Sequence, residues 1–140
     1  MSPYWRYMKA YITCPICVTK QRLMLIPEIE EVVKSKGIEA YKFDVSGTPG
    51  EVFKRDHERL SESSLVIAEV SEPSHGVGIL IGLSYSLGLS RILLLKKGRE
   101  LTKIAYGFPD TFIIEYENEE DLKERLAKEL DQFSTTNQID

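Results

Sequence analysis

Leu65-Val66-Ile67-Ala68-Glu69-Val70-Ser71-Glu72-Pro73-Ser74-His75-Gly76-Val77-Gly78 is the stretch on which the reading of this chain turns. Leu65 to Val70 is nearly all apolar, as a strand covered on both faces should be. A short polar turn follows, and Gly76 to Gly88 reads as a glycine-rich helix. Unpaired N–H groups at the start of such a helix, together with its dipole, attract an anion, and glycine lets a ligand approach the backbone. Ser74 can cap the helix or donate its hydroxyl to a phosphate. In most proteins a Ser-x-Gly turn before a helix is only a cap.

Outward from this segment, strand and helix signals alternate. Tyr7 to Thr13 reads as a first strand. Pro27 to Lys36 reads as a helix, with Pro in its first turn, Glu28, Glu30 and Glu31 near its start, and Gly37 just beyond its end. The stretch from Thr19 to Ile26 stays open, because Pro27 would kink a longer helix. Ile38 to Phe43 is a second strand. Thr48-Pro49-Gly50-Glu51 is a capping box that starts a helix running to about Ser61. Arg91 to Leu95 and Thr111 to Tyr116 complete five strands. Asn118 caps a last helix whose apolar stripe is Leu122, Leu126, Leu130 and Phe133.

This alternation implies an α/β fold, a doubly wound five-stranded parallel sheet of Rossmann-like type. Residues 1–133 are expected to form one domain, followed by a polar tail at 134–140. Ligands on such sheets bind at the carboxyl ends of the strands, by the switch point. The places to search are Thr13–Thr19, Asp44–Pro49, Ser71–Gly78 and Lys96–Thr102.

Bulk composition narrows the function classes. The chain has 140 residues, 42% hydrophobic and 29% charged, with a net charge of −4. That balance argues against nucleic acid as a partner, since phosphate backbones want a basic face. No stretch approaches the roughly 20 apolar residues of a membrane helix. Met1 to Lys9 has no apolar core of a signal peptide, so a soluble cytoplasmic protein is expected. Two cysteines are too few for a disulfide framework. His57 and His75 have no partners at metal-ligand spacing, so neither a metal nor a cofactor is expected.

The run from Leu65 to Gly78 resembles the signature of the nucleoside 2-deoxyribosyltransferase superfamily, which includes the 2′-deoxynucleoside 5′-phosphate N-hydrolases. Element order matches over most of the chain, and the match is tight over this segment. In the family the signature continues Gly-Val-Gly-x-Glu-Leu-Gly, and its glutamate attacks the anomeric carbon of the sugar. Here Gly76-Val77-Gly78-Ile79-Leu80-Ile81-Gly82 puts Leu80 at the glutamate position. Leucine has no lone pair for covalent or general-base chemistry. The resemblance also implies that Asp56 contacts the sugar and assists base departure, and that Tyr11 lies near the sugar. It implies a ligand site at Ser74, Gly76, Val77 and Gly78. Thr102 roughly matches a Ser/Thr that reaches a phosphate across the family's dimer interface, given an inserted residue near Leu89. A nucleoside or nucleotide as small-molecule partner, and a homodimer, follow from the same resemblance.

The residues themselves offer alternatives. At about 100° per residue, Asp56 lies between Val52 and Leu60, in the arc that holds Phe53. A carboxylate on a core-facing stripe is costly unless bonded or used, so it is either functional or tied to a neighbouring group. Tyr11 can simply be core. The family's first loop carries a Gly-Ser-Ile-Arg-Gly-Gly type stretch that binds phosphate; this chain has Cys14-Pro15-Ile16-Cys17-Val18-Thr19-Lys20, with Cys17 at the arginine position and Lys20 or Arg22 as substitute charges. Cys14 and Cys17, in a Cys-x-x-Cys between a strand and a helix, are candidates for a dithiol redox pair. Gly78, Gly82 and Ser86 form a small-residue face for packing on the sheet or on a second subunit. Three classes therefore stand: a nucleotide-binding relative with lost, weak or altered chemistry, an active N-glycosidase or transferase with a displaced carboxylate (Glu72 or Glu69 by proximity), and a dithiol redox protein.

Overall fold

Five parallel strands carry the molecule: β1 (Lys9–Thr13), β2 (Glu39–Lys42), β3 (Leu65–Glu69), β4 (Ser90–Lys96) and β5 (Thr111–Tyr116), side by side in the order β2-β1-β3-β4-β5. The computed structural model describes residues 8–16 and 18–139, with side chains described as far as residue 133. Four helices connect and follow the strands: α1 (Ile26–Ser35), α2 (Pro49–Glu62), α3 (His75–Ser86) and α4 (Glu119–Ile139). The expected doubly wound α/β architecture is what the chain adopts.

Side-chain alternation along the strands divides the core in two. Ala10 and Ile12 of β1, Leu65 and Ile67 of β3, and Ile92 and Leu94 of β4 face α1 and α4. Tyr11, Val66, Ala68, Leu93 and Leu95 face the other way, toward α2 and α3. Of the α4 stripe anticipated from the sequence, Leu122, Leu126 and Leu130 have no exposed surface and Phe133 is 9% exposed.

Local signals explain the helix boundaries. Thr48 Oγ1 accepts the Glu51 N–H at 3.2 Å, and the Glu51 carboxylate accepts the Thr48 N–H at 3.4 Å, which closes the capping box of α2. Gly37 and Gly88, at φ of +77° and +80°, take the left-handed conformation just after α1 and α3. The stretch left open by the sequence contains a 3-10 turn, Gln21–Leu25, that leads directly into α1. Pro27 falls in the first turn of α1, where its missing N–H leaves no bond unmade. At the other end, α4 continues to Ile139, through backbone assigned to a polar tail. Once the stripe is docked, each added residue gains a hydrogen bond without a new nucleus. Tyr7, the expected start of the first strand, lies outside the described residues.

The topology sets the site. From β1 the chain crosses over α1 to β2 on one side, then returns over α2 to β3 on the other side of β1. The carboxyl ends of β1 and β3 therefore send their loops apart, and a crevice is left between them.

Candidate functional site

A cleft of about 510 Å³ opens at the carboxyl ends of the strands, beside that switch point. Its walls are α2 and α3, and its floor is the ends of β1 and β2. Asp44, Phe53, Asp56, Ser74, Gly76, Val77 and Leu80 all line it. Five of the positions singled out for a ligand or for chemistry (Cys14, Asp56, Ser74, Gly76 and Val77) thus meet in one space with Leu80.

Asp56 is half-buried and points inward from α2. The Tyr11 hydroxyl donates to Asp56 Oδ1 at 2.6 Å. Tyr11 itself is fully buried, so it reaches the cleft through Asp56. Burial first, then the bond to Asp56 and its charge, push the phenol far above its ordinary value of 10.0. Tyr11 is therefore a neutral donor that fixes one carboxylate oxygen and leaves the other to the cleft. The arc of α2 that looked core-facing is core only at Leu60; Val52 and Phe53 line the cleft, and Phe53 is 57% exposed.

Ser74 is the N-cap of α3, its Oγ accepting the Val77 N–H at 3.3 Å. The cap uses a lone pair, and the hydroxyl proton stays available to a ligand. A Cβ placed on Gly76 would meet nothing nearer than Ser74 Oγ at 4.0 Å, so no neighbour in the chain requires glycine there. Leu80 is 8% exposed and packs in the core between α3 and the sheet while its edge borders the cleft.

Gly78 and Thr102 line a second cleft, of about 370 Å³, on the far side of α3 between that helix and the β4–β5 connection. Ser74 and Val77 border both clefts, because the first turn of α3 stands between them. The small-residue face also differs from one of its two expected roles: a Cβ at Gly78 or Gly82 would have nothing within 4 Å, so this face does not pack on the sheet.

The two glutamates closest in sequence are poorly placed for a displaced nucleophile. Glu69 is fully buried and accepts the Ser71 N–H at 2.6 Å, the Ser71 hydroxyl at 2.7 Å and the Tyr116 hydroxyl. Arg22 Nε lies 4.0 Å from it. Glu72 accepts the Thr19 hydroxyl at 2.8 Å and borders the second cleft. These contacts tie the loop after β1 to the ends of β3 and β5, and Arg22 Nε is buried beside them with no hydrogen-bond partner among the described residues.

Cys14 is a buried free thiol. Burial, and then the charges of Glu69 and Glu72, push it up to about 12. A redox or nucleophilic cysteine needs the opposite shift. Cys17 lies outside the described residues. Among the described residues no three His, Cys, Asp or Glu side chains converge as a metal site would require. His75 is exposed at the start of α3, and His57 stacks on Phe53 with ring centroids 5.8 Å apart.

Asp44 and Phe53 belong to the cleft and were not picked out from the sequence. Asp44 opens the window that follows β2, which was a usable signal. Its side chain accepts the Ser46 N–H at 2.9 Å and lies 3.8 Å from Arg55. The Ser46 bonds, with Arg55 behind them, hold its carboxyl below the usual carboxylate range.

A protein of Thermofilum pendens bearing the name 2′-deoxynucleoside 5′-phosphate N-hydrolase 1 is 35% identical over 101 residues, covering 66% of this chain and 71% of its own. The chain belongs to the 2′-deoxynucleoside 5′-phosphate N-hydrolase family. A second protein of the same name, from Syntrophotalea carbinolica, is 28% identical over 77% of this chain and 82% of its own. Solved structures place the family fold in wider company. The CMP N-glycosidase of Clostridium botulinum superposes with a TM-score of 0.68 at 22% identity, covering 84% of this chain and 97% of its own. The 2-deoxyribosyltransferase of Bacillus psychrosaccharolyticus gives 0.61 at 18% identity, over 82% and 90%. At these identities the likeness is one of fold. No protein-family model matches the chain.

Proposed function

We propose that this family member binds a nucleoside or nucleotide in the cleft between α2 and α3, and that its N-glycosidic chemistry is lost, weak or altered. The observation that carries this reading is a single juxtaposition. Asp56, fixed by Tyr11, and Leu80 line the same 510 Å³ space beside the capped start of α3. The named relatives are hydrolases and transferases of glycosidic bonds. Covalent glycosidic cleavage needs a carboxylate to attack the anomeric carbon and split one hard step into two easier ones. Leu80, at the position of the family glutamate, offers only hydrocarbon. Asp56 then serves to hold a sugar hydroxyl, and Ser74 and the first amides of α3 hold the opposite end of the ligand.

Release of free base from 2′-deoxynucleosides and their 5′-monophosphates tests this. The wild-type protein should release little or none. Leu80→Glu restores the motif on the same helical turn, and a folded variant should gain detectable hydrolysis. It should also lose stability, because a carboxylate enters a site lined for leucine. Strong release by the wild type would support an active enzyme instead, and Asp56→Asn and Asp44→Asn would be the first variants to assay. Loss of that activity in either would identify the working carboxylate. We further propose that two copies pair through the exposed Gly78, Gly82 and Ser86 face of α3; light scattering that gives a 16.0 kDa particle at micromolar concentration would refute the pairing.

A further inference from the structure

We infer that the cleft selects an uncharged nucleoside over its 5′-monophosphate, with Phe53 as the platform for the base; this rests on the nucleoside-or-nucleotide reading of the same cleft. Among the described residues that line it, the charged ones are Asp44 and Asp56. Of the cations beside the cleft's lining residues, Arg55 is held by contacts within the chain. Arg55 donates to the carbonyl oxygens of Asp44 and Ser46 at 2.8 and 2.9 Å and lies 3.8 Å from Asp44 Oδ1. Arg22 Nε lies 4.0 Å from Glu69 Oε2. Asp56 receives a neutral hydroxyl from Tyr11, which leaves its negative charge uncompensated by that contact. A doubly charged phosphate entering this space meets these two carboxylates, and the first turn of α3 opposes them. The remaining lining is apolar, with Val45, Val52, Ile79 and Leu83 among it. Phe53 stands at the lip, 57% exposed, with the His57 ring stacked on it at an interplanar angle of 25°. A large aromatic ring left that open on a helix, braced by a second ring and facing a cleft, presents a face to a flat heterocycle.

Calorimetric titration of the whole chain with the four 2′-deoxynucleosides and with their 5′-monophosphates tests the inference. At least one nucleoside should bind roughly tenfold or more tightly than its monophosphate, the ratio set by about 1.4 kcal/mol. Phe53→Ala should weaken that nucleoside roughly tenfold, the size of one base-stacking contact, and Phe53→Tyr should keep most of the affinity. Phe53 is exposed, so circular dichroism should find both variants folded. Asp44→Asn should narrow the preference by improving the monophosphate, since it removes a negative charge from the cleft wall. Monophosphates that bind as tightly as nucleosides, or an unchanged Phe53→Ala, overturn this inference and leave the binding reading intact. Failure of both ligand classes to bind overturns the two together.

Discussion

The two faces of the sheet are fed by the same strands and end differently. On the α1/α4 face the helices close over the strands, and Ile29, Val33, Leu122, Leu126 and Leu130 have no exposed surface. On the α2/α3 face, α2 buries only Leu60, and α3 leaves Ile79 and Tyr85 more than half exposed. The helices stand apart there, and the gap is the cleft. One face spends its apolar surface on stability; the other keeps part of it open and sets Asp44, Asp56 and Ser74 around the opening.

That contrast can be broken by deletion. Leu126→Ala leaves a closed cavity, so it should cost about 2–5 kcal/mol, toward the upper end, by denaturant unfolding. Leu80→Ala, at the cleft edge, should cost about 2 kcal/mol, because solvent or neighbouring side chains can fill the space. Equal losses would mean that the two faces are packed alike.

Alkali sharpens the comparison, since raised groups sit on both faces: Cys14 and Tyr116 on one, Tyr11 on the other. A group whose folded pKa is raised favours the fold fully below its unfolded value, and that stability is lost as the pH climbs toward the folded value. For Cys14 the window runs from 9.0 to about 12. Stability should therefore fall above pH 9, and Cys14→Ala should flatten part of the fall. A slope identical in that variant would assign the loss to the tyrosines.

The smallest expected effect belongs to the cleft itself. Tyr11→Phe removes one hydrogen bond and should cost about 1 kcal/mol of stability, since Asp56 is half-exposed and water can replace the hydroxyl. If Tyr11 positions Asp56, the same variant should weaken nucleoside binding while Tyr116→Phe, on the other face, should not.

What the residues determined by themselves was local. The capping box at Thr48 and Glu51, the unbroken apolar run from Leu65 to Val70, and the Leu122-Leu126-Leu130 stripe each express their structure within a few residues, because caps and periodicity depend on neighbours in the chain. Strand–helix alternation then left the doubly wound sheet as the simplest topology, and the turn at Ser74 marked one wall of the site. The rest was decided by packing. Whether Phe53 is core or lip depends on how far α2 stands from α3. Asp44 matters because β2 ends beside β1, and Gly78 and Thr102 fall outside the main cleft because the first turn of α3 divides the space. Glu69 looked available in sequence and is locked by Ser71 and by Tyr116, a residue from another strand. Such outcomes come from contacts between segments far apart in the chain, where burial and charge are set by the sum of several elements and not by the spacing within any one of them.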